Sequence, residues 1–213
     1  MADDVGDALP AEAELARRFG VSKAVIREAL SQLATGGIIT IQQGRPSSVA
    51  ALSSAPLAGY LNLAVRVADE GLREAIELRR ALETDIAMLA AQRATASDLA
   101  EIGAIVERMK RDYETLDPWI EADVEFHLAL GRASHNSLMS FLMEALSRTM
   151  RECVRDLQVR QELRDNRATL ERHVAIHEAL VRRDPEGARA AMQAHFAASR
   201  AVVDVILEER RTH

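Results

Sequence analysis

Residues 9–39 read LPAEAELARRFGVSKAVIREALSQLATGGII and run directly into TIQQGRPSSVA over residues 40–50. Residues 12–19 have helical composition, and Gly20 stands where a helix ends in a left-handed cap. Ser22 carries a side chain suited to accept from the free N–H groups at the start of the next helix. Within that second helix Ile26, Ala29, Leu30 and Leu33 recur at i, i+3, i+4 and i+7, which predicts one buried stripe. Lys23, Ala24, Val25 and Arg27 fall on the opposite face near the N-terminal end. That is the end of a recognition helix that meets base edges in the major groove. A hairpin with Gly44 and Arg45 at its turn follows.

The same residues resemble the winged helix-turn-helix domain of the GntR family of bacterial transcription regulators. The matching text is LP-x-E-x-x-LA over 9–16, GVS-x-x-x-I-RE-AL-x-x-L-x-x-x-G-x-I over 20–39, and the Gly-rich wing Gly44-Arg45-Pro46-Ser47. The resemblance implies palindromic operator DNA as partner, contacted by Ser22, Lys23, Ala24, Val25, Arg27, Gly44 and Arg45. Two positions depart from it. Ala13 stands where the family has an arginine that reaches DNA, and MADDVGDA precedes Leu9 where the family has a further helix. The expected domain is therefore a winged helix-turn-helix with a truncated first helix.

The net charge of −6 excludes a generic polyanion binder, so charge has to be read locally. Between residues 14 and 45, Arg17, Arg18, Lys23, Arg27 and Arg45 stand against Glu14 and Glu28, five cations against two anions, a net of +3. Phosphate contacts need such a patch. Arg17 and Arg18 equally fit an ordinary solvated helix face. The 213 residues are 48% hydrophobic and only 3% aromatic, a composition suited to a mainly helical protein with a real core. The single cysteine, Cys153, excludes an intrachain disulfide, and no apolar run is long enough to span a membrane. With no signal peptide at the start, the expected location is the cytoplasm.

Residues 50–56, AALSSAP, read as a linker. Helical periodicity follows over 57–67, 72–92 and 96–115. It continues from Asp117-Pro118, from Asn136 or Ser137 to about Gln161, over 165–183, and from Asp184-Pro185 to 208. The expected fold is mainly α, the winged domain followed by a bundle of six or seven antiparallel helices. The expected domains are 1–50, a linker and short helix over 51–71, and a helical domain over 72–208.

Asp123 and His127 lie four residues apart on one helix face, and His173 and His195 fall on the last two helices. Three imidazoles and a carboxylate from three helices can converge in a bundle core and hold a divalent metal. On spacing alone, ordinary surface or satisfied core histidines fit as well. His177, four residues after His173, could compete as a ligand, whereas His135 and His213 read as outside any such set, Cys153 as a small core hydrophobe, and Met139, Met143 and Met150 as packing. Arg79 offers a planar fork that matches a carboxylate, or it pairs with Glu83 one turn on.

Residues 72–205 also resemble the ligand-sensing helical domain of the FadR subgroup within the GntR family. The matching text is E-L-R-x-x-L-E over 77–83, D-x-x-F-H over 123–127, H-x-x-I-x-x-A over 173–179, and Asp184 with A-x-x-x-M-x-x-H over 188–195. The resemblance implies that Asp123, His127, His173 and His195 ligate a divalent ion, and such a donor set accepts zinc, the first expectation, or nickel, manganese or iron. It implies a small organic-acid or sugar-acid carboxylate as effector in the remaining coordination positions, held by Arg79. It also implies a homodimer acting as a repressor released by that effector. Two alternatives stand beside this. One is a metal-dependent hydrolase, which lacks any HExxH or nucleophile elbow to support it. The other is a ligand-binding regulator that no longer binds DNA.

Overall fold

The computed structural model describes residues 5–42, 44–159 and 165–211. The expected helix end near Gln161 and the terminal His213 lie outside the described residues. The chain divides into two compact units, Met1–Leu57 and Ala58–His213.

In the first unit, α1 (Glu12–Phe19) ends at Gly20, whose φ of 68° is the left-handed conformation that glycine adopts without strain. Helix α2 (Lys23–Thr35) begins at Ser22, whose hydroxyl accepts from the Val25 N–H at 3.3 Å. Ile26, Leu30 and Ile39 form a small core with Leu9, Leu15, Ala16 and Ala34 packed on it. The expected stripe is thus corrected: Ala29 and Leu33 are exposed, and the buried line runs Ile26, Leu30, Ala34. Two turns of α1 supply only Leu15 and Ala16, too little surface to cover a wider stripe. Strand β1 (Ile39–Thr40) pairs antiparallel with β2 (Ser48–Val49) to make the wing. The segment ahead of Leu9 is not helical among the described residues. It lies along β2, with the Leu9 N–H on Ser47 O and the Val49 N–H on Asp7 O.

The second unit carries α3 (Ala55–Val67, begun in the first unit), α4 (Gly71–Arg93), α5 (Ala96–Asp112), α6 (Leu116–Ala133), α7 (Ser137–Val159), α8 (Asn166–Val181) and α9 (Pro185–Arg211). Gly71 is dictated by space, since a Cβ there would sit 1.8 Å from Val65 O. Polar residues in the loops set the starts. Asp165 accepts from the Ala168 N–H, Asp184 from the Gly187 N–H, and Asn136 from the Leu138 and Met139 N–H groups. Thr95 and Asp98 close a reciprocal capping box on α5. Thr95→Ala should lower unfolding free energy by about 1 kcal/mol in urea titration, with the helical circular-dichroism signal intact. An unchanged midpoint would mean the box is redundant.

Helix α4 buries Leu72, Ala75, Ile76, Ile86, Ala87, Ala90 and Ala91 along one face, and its small residues admit close packing against α9, α6 and α8. These four helices surround a common interior. Among the described residues no helix is long and apolar enough to cross a membrane.

Candidate metal centre and DNA-binding face

Asp123 and His127 enter that interior from α6, His173 from α8 and His195 from α9, all at most 5% exposed. One nitrogen from each histidine lies within 4.8 Å of the others. His173 Nε2 stands 3.2 Å from Asp123 Oδ1, and His127 Nε2 stands 3.9 Å from Asp123 Oδ2. His127 Nε2, His173 Nε2 and His195 Nδ1 are buried with no hydrogen-bond partner. Leaving three polar atoms unpaired in one place is costly unless something completes them. A divalent ion does so. Histidine–metal bonds of about 2.0–2.1 Å bring ligand nitrogens no more than about 4.2 Å apart, within small side-chain adjustments of the observed spread. The residues present fit the ion.

Two of the other ring nitrogens are held from behind. His173 Nδ1 lies 2.8 Å from the Thr169 carbonyl, so it carries the proton and leaves Nε2 as the lone-pair donor. His127 Nδ1 makes a close polar contact with Glu83 Oε2, and Glu83 Oε1 accepts from Arg79 Nε at 2.8 Å. Arg79 is 2% exposed, leans over the Phe196 ring at 5.2 Å, and keeps Nη2 without a partner. Both readings of Arg79 meet here: it pairs with Glu83, and it has a donor to spare. Glu83 was visible only as that pair's second member; its contact with His127 depends on how α4 faces α6, which spacing does not show. Phe126 packs edge-on to His173 at 4.9 Å and Trp119 at 6.1 Å, walls that exclude water. A cavity of about 280 Å³ reaches Arg79 between Leu61, Leu78, Leu146 and Thr149.

The electrostatics follow from this crowding. Burial favours a protonated Asp123, but His173, His127 and His195 outweigh it and hold the carboxyl well below its ordinary range. Burial, with His173 and His127 nearby, pushes His195 well below the usual imidazole value, into the neutral form that ligates. For Glu83, burial is overcome by Arg79 and His127, and its carboxyl is lowered.

Other candidates lie elsewhere. His177 packs beside Gly103 on α5, and His135, at φ 47°, is exposed and reaches Asp98 at 2.9 Å. Cys153, Met143 and Met150 are buried in the core and Met139 packs against it.

Ser22, Lys23, Ala24, Val25, Arg27, Gly44 and Arg45 are all exposed. Arg27 Nη2 is engaged at 3.0 Å by Glu12 Oε2 on α1, a tie between the two helices. Arg45 leans on Gln42 beside Gly44, whose φ is 76°. Arg17 and Arg18 both pair with Glu14, as a solvated helix face would.

Residues 4–49 match the bacterial regulatory proteins of the gntR family, and residues 74–198 match the FCD domain. The chain is similar to the HTH-type transcriptional regulator LutR of Bacillus subtilis (strain 168), 31% identical over 208 residues that cover 96% of this chain and 94% of that protein. It is 28% identical over 201 residues to the Uxu operon transcriptional regulator of Escherichia coli (strain K12), covering 90% of this chain and 76% of that protein. Among solved structures, Streptococcus agalactiae GntR superposes with a TM-score of 0.70 at 29% identity, covering 93% of this chain and 91% of that one. These relatives are transcriptional regulators and not enzymes, which removes the hydrolase alternative. The chain belongs to the gntR family, as a DNA-binding transcriptional regulator with an FCD domain behind its helix-turn-helix.

Proposed function

We propose that this regulator is a cytoplasmic homodimeric repressor, released from a palindromic operator by a small carboxylate that binds at a metal centre in the helical unit. The observation that carries this reading is the cluster of three buried imidazoles whose facing nitrogens lack a satisfying hydrogen bond, with the Asp123 carboxylate beside two of them. Asp123, His127, His173 and His195 hold the ion, with zinc the first expectation. When bound, the ion supplies Lewis-acidic positions for ligand oxygens. Thr169 and Glu83 fix the imidazoles, Trp119, Phe126 and Phe196 keep water out, and Arg79 offers the spare donor. An Escherichia coli (strain K12) protein named for regulation of the L-lactate dehydrogenase operon is 31% identical over 201 residues, covering 91% of this chain and 76% of that protein, which supports a hydroxy acid. In the other unit Ser22, Lys23, Ala24, Val25, Arg27, Gly44 and Arg45 meet the operator.

Control requires that the effector bind the DNA-competent and incompetent arrangements unequally, and reciprocity makes that measurable. Calorimetric titration of the effector should give an affinity roughly 5–150-fold weaker when saturating operator is present. Equal affinity in both titrations would show the two sites to be uncoupled.

A further inference from the structure

Among the described residues, the buried groups that carry a fixed charge are three: Arg79, Glu83 and Asp123. All three belong to the metal centre, joined through His127 by the contacts Arg79–Glu83, Glu83–His127 and His127–Asp123. Imidazoles ligate as neutral groups. The protein therefore brings one cation and two carboxylates, a net of −1, and a divalent ion turns the site to +1. A buried charge without a partner is strongly disfavoured. One negative charge from a ligand completes the site, and two overshoot it. Arg79 is the one buried guanidinium of the site, and its Nη2 has no hydrogen-bond partner, which points the same way: one cationic side chain remains to meet an anion, not a cluster of them.

We propose that the effector is a monoanion: one carboxylate, its other coordinating or hydrogen-bonding groups being neutral hydroxyl or carbonyl oxygens. Glu83 is the residue that sets this limit. It touches the ligand's surroundings only through Arg79 and His127, so it acts as a charge-setting, positioning residue. Dicarboxylates of the same size are rejected because their second charge has no counterpart in the interior. The inference rests on the metal-dependent reading given above.

The test uses full-length protein with excess zinc, its metal content measured by elemental analysis. Two pairs of probes differ by one charge at similar size: lactate against tartronate, and glucuronate against glucarate. In calorimetric titration the monoanion of a responding pair should bind tighter than its dianion by a factor on the order of ten or more. Glu83→Gln raises the loaded site by one charge, so the gap should close or invert, while Glu83→Asp should keep the parent's preference. Arg79→Gln lowers the loaded site to neutral, and monoanion and dianion should both be lost with the metal retained. Circular dichroism and metal content confirm that each variant is folded and loaded.

Equal affinity for both members of a pair in the parent overturns the proposal. So does Glu83→Gln weakening both members by the same factor, as a purely structural role would. Loaded protein that binds none of the four overturns it too. Protein that takes up no metal refutes the underlying reading instead, and elemental analysis tells the two failures apart.

Discussion

Protein purified without chelator should carry close to one divalent ion per chain, and His195→Ala should carry almost none. His195 is 5% exposed on α9, its ring centroid 4.7 Å from that of His173 and 5.1 Å from that of His127. Outer partners of a metal ligand cost about 10–100-fold in affinity when lost, and a direct ligand costs more. The pH dependence has a definite sign. Protons compete for imidazoles, so metal should leave as pH falls below the ordinary histidine value of about 6.5. Stability moves the same way. His195 in the folded chain is pushed well below the ordinary value by burial and by its two neighbouring histidines. The unfolded state therefore binds the extra proton first, and stability is lost as pH drops below about 6.5 toward the lower folded value. Melting temperature followed from pH 8 down to pH 5, with zinc and with chelator, should fall in both series. His195→Ala should flatten the chelated series. Parent protein free of metal after metal-replete growth would sink the site.

The helix-turn-helix was legible in the sequence because its punctuation is local. Gly20 and Ser22 act within one turn of their own positions, and the structure puts a left-handed cap and an N-cap there. Ala29 and Leu33 were misread because periodicity identifies a face but not the area of what covers it. In the helical unit the starts near residue 96, at Asp165 and at Asp184-Pro185 were marked for the same local reason, whereas α6 begins two residues ahead of Pro118. Asp123, His127, His173 and His195 were readable as a set only against the family frame, since three helices had to be brought together before spacing meant anything. Two supports were not readable at all. The Thr169 carbonyl behind His173 is backbone, which any residue provides. Glu83 sits four residues after Arg79, and that spacing advertises an intrahelical pair while hiding the contact with His127.

Arg27→Ala should remove specific operator binding in a gel-shift assay while leaving the helical circular-dichroism signal unchanged. Arg27 lies one turn into α2, on the face that carries Lys23, and its side chain is 70% exposed. A guanidinium there has the reach and the fork to meet guanine N7 and O6. In the free protein that fork is taken by Glu12, at 3.0 Å from Nη2 and 3.4 Å from Nε. Burial does not stabilise this pair: both groups sit at the surface, where screening leaves an ion pair little net value. Exchange for a base edge is therefore not blocked. Loss of one bidentate base contact lowers specific affinity by about one to two orders of magnitude. Lys23→Ala should behave differently, weakening specific and non-specific binding alike and reducing the salt slope by about one. Arg17 and Arg18 are both tied to Glu14, and Ala13 offers no charge of its own, so α1 has little free charge to take over. An Arg27→Ala protein that holds an operator as tightly as the parent would show that α2 is not the recognition helix.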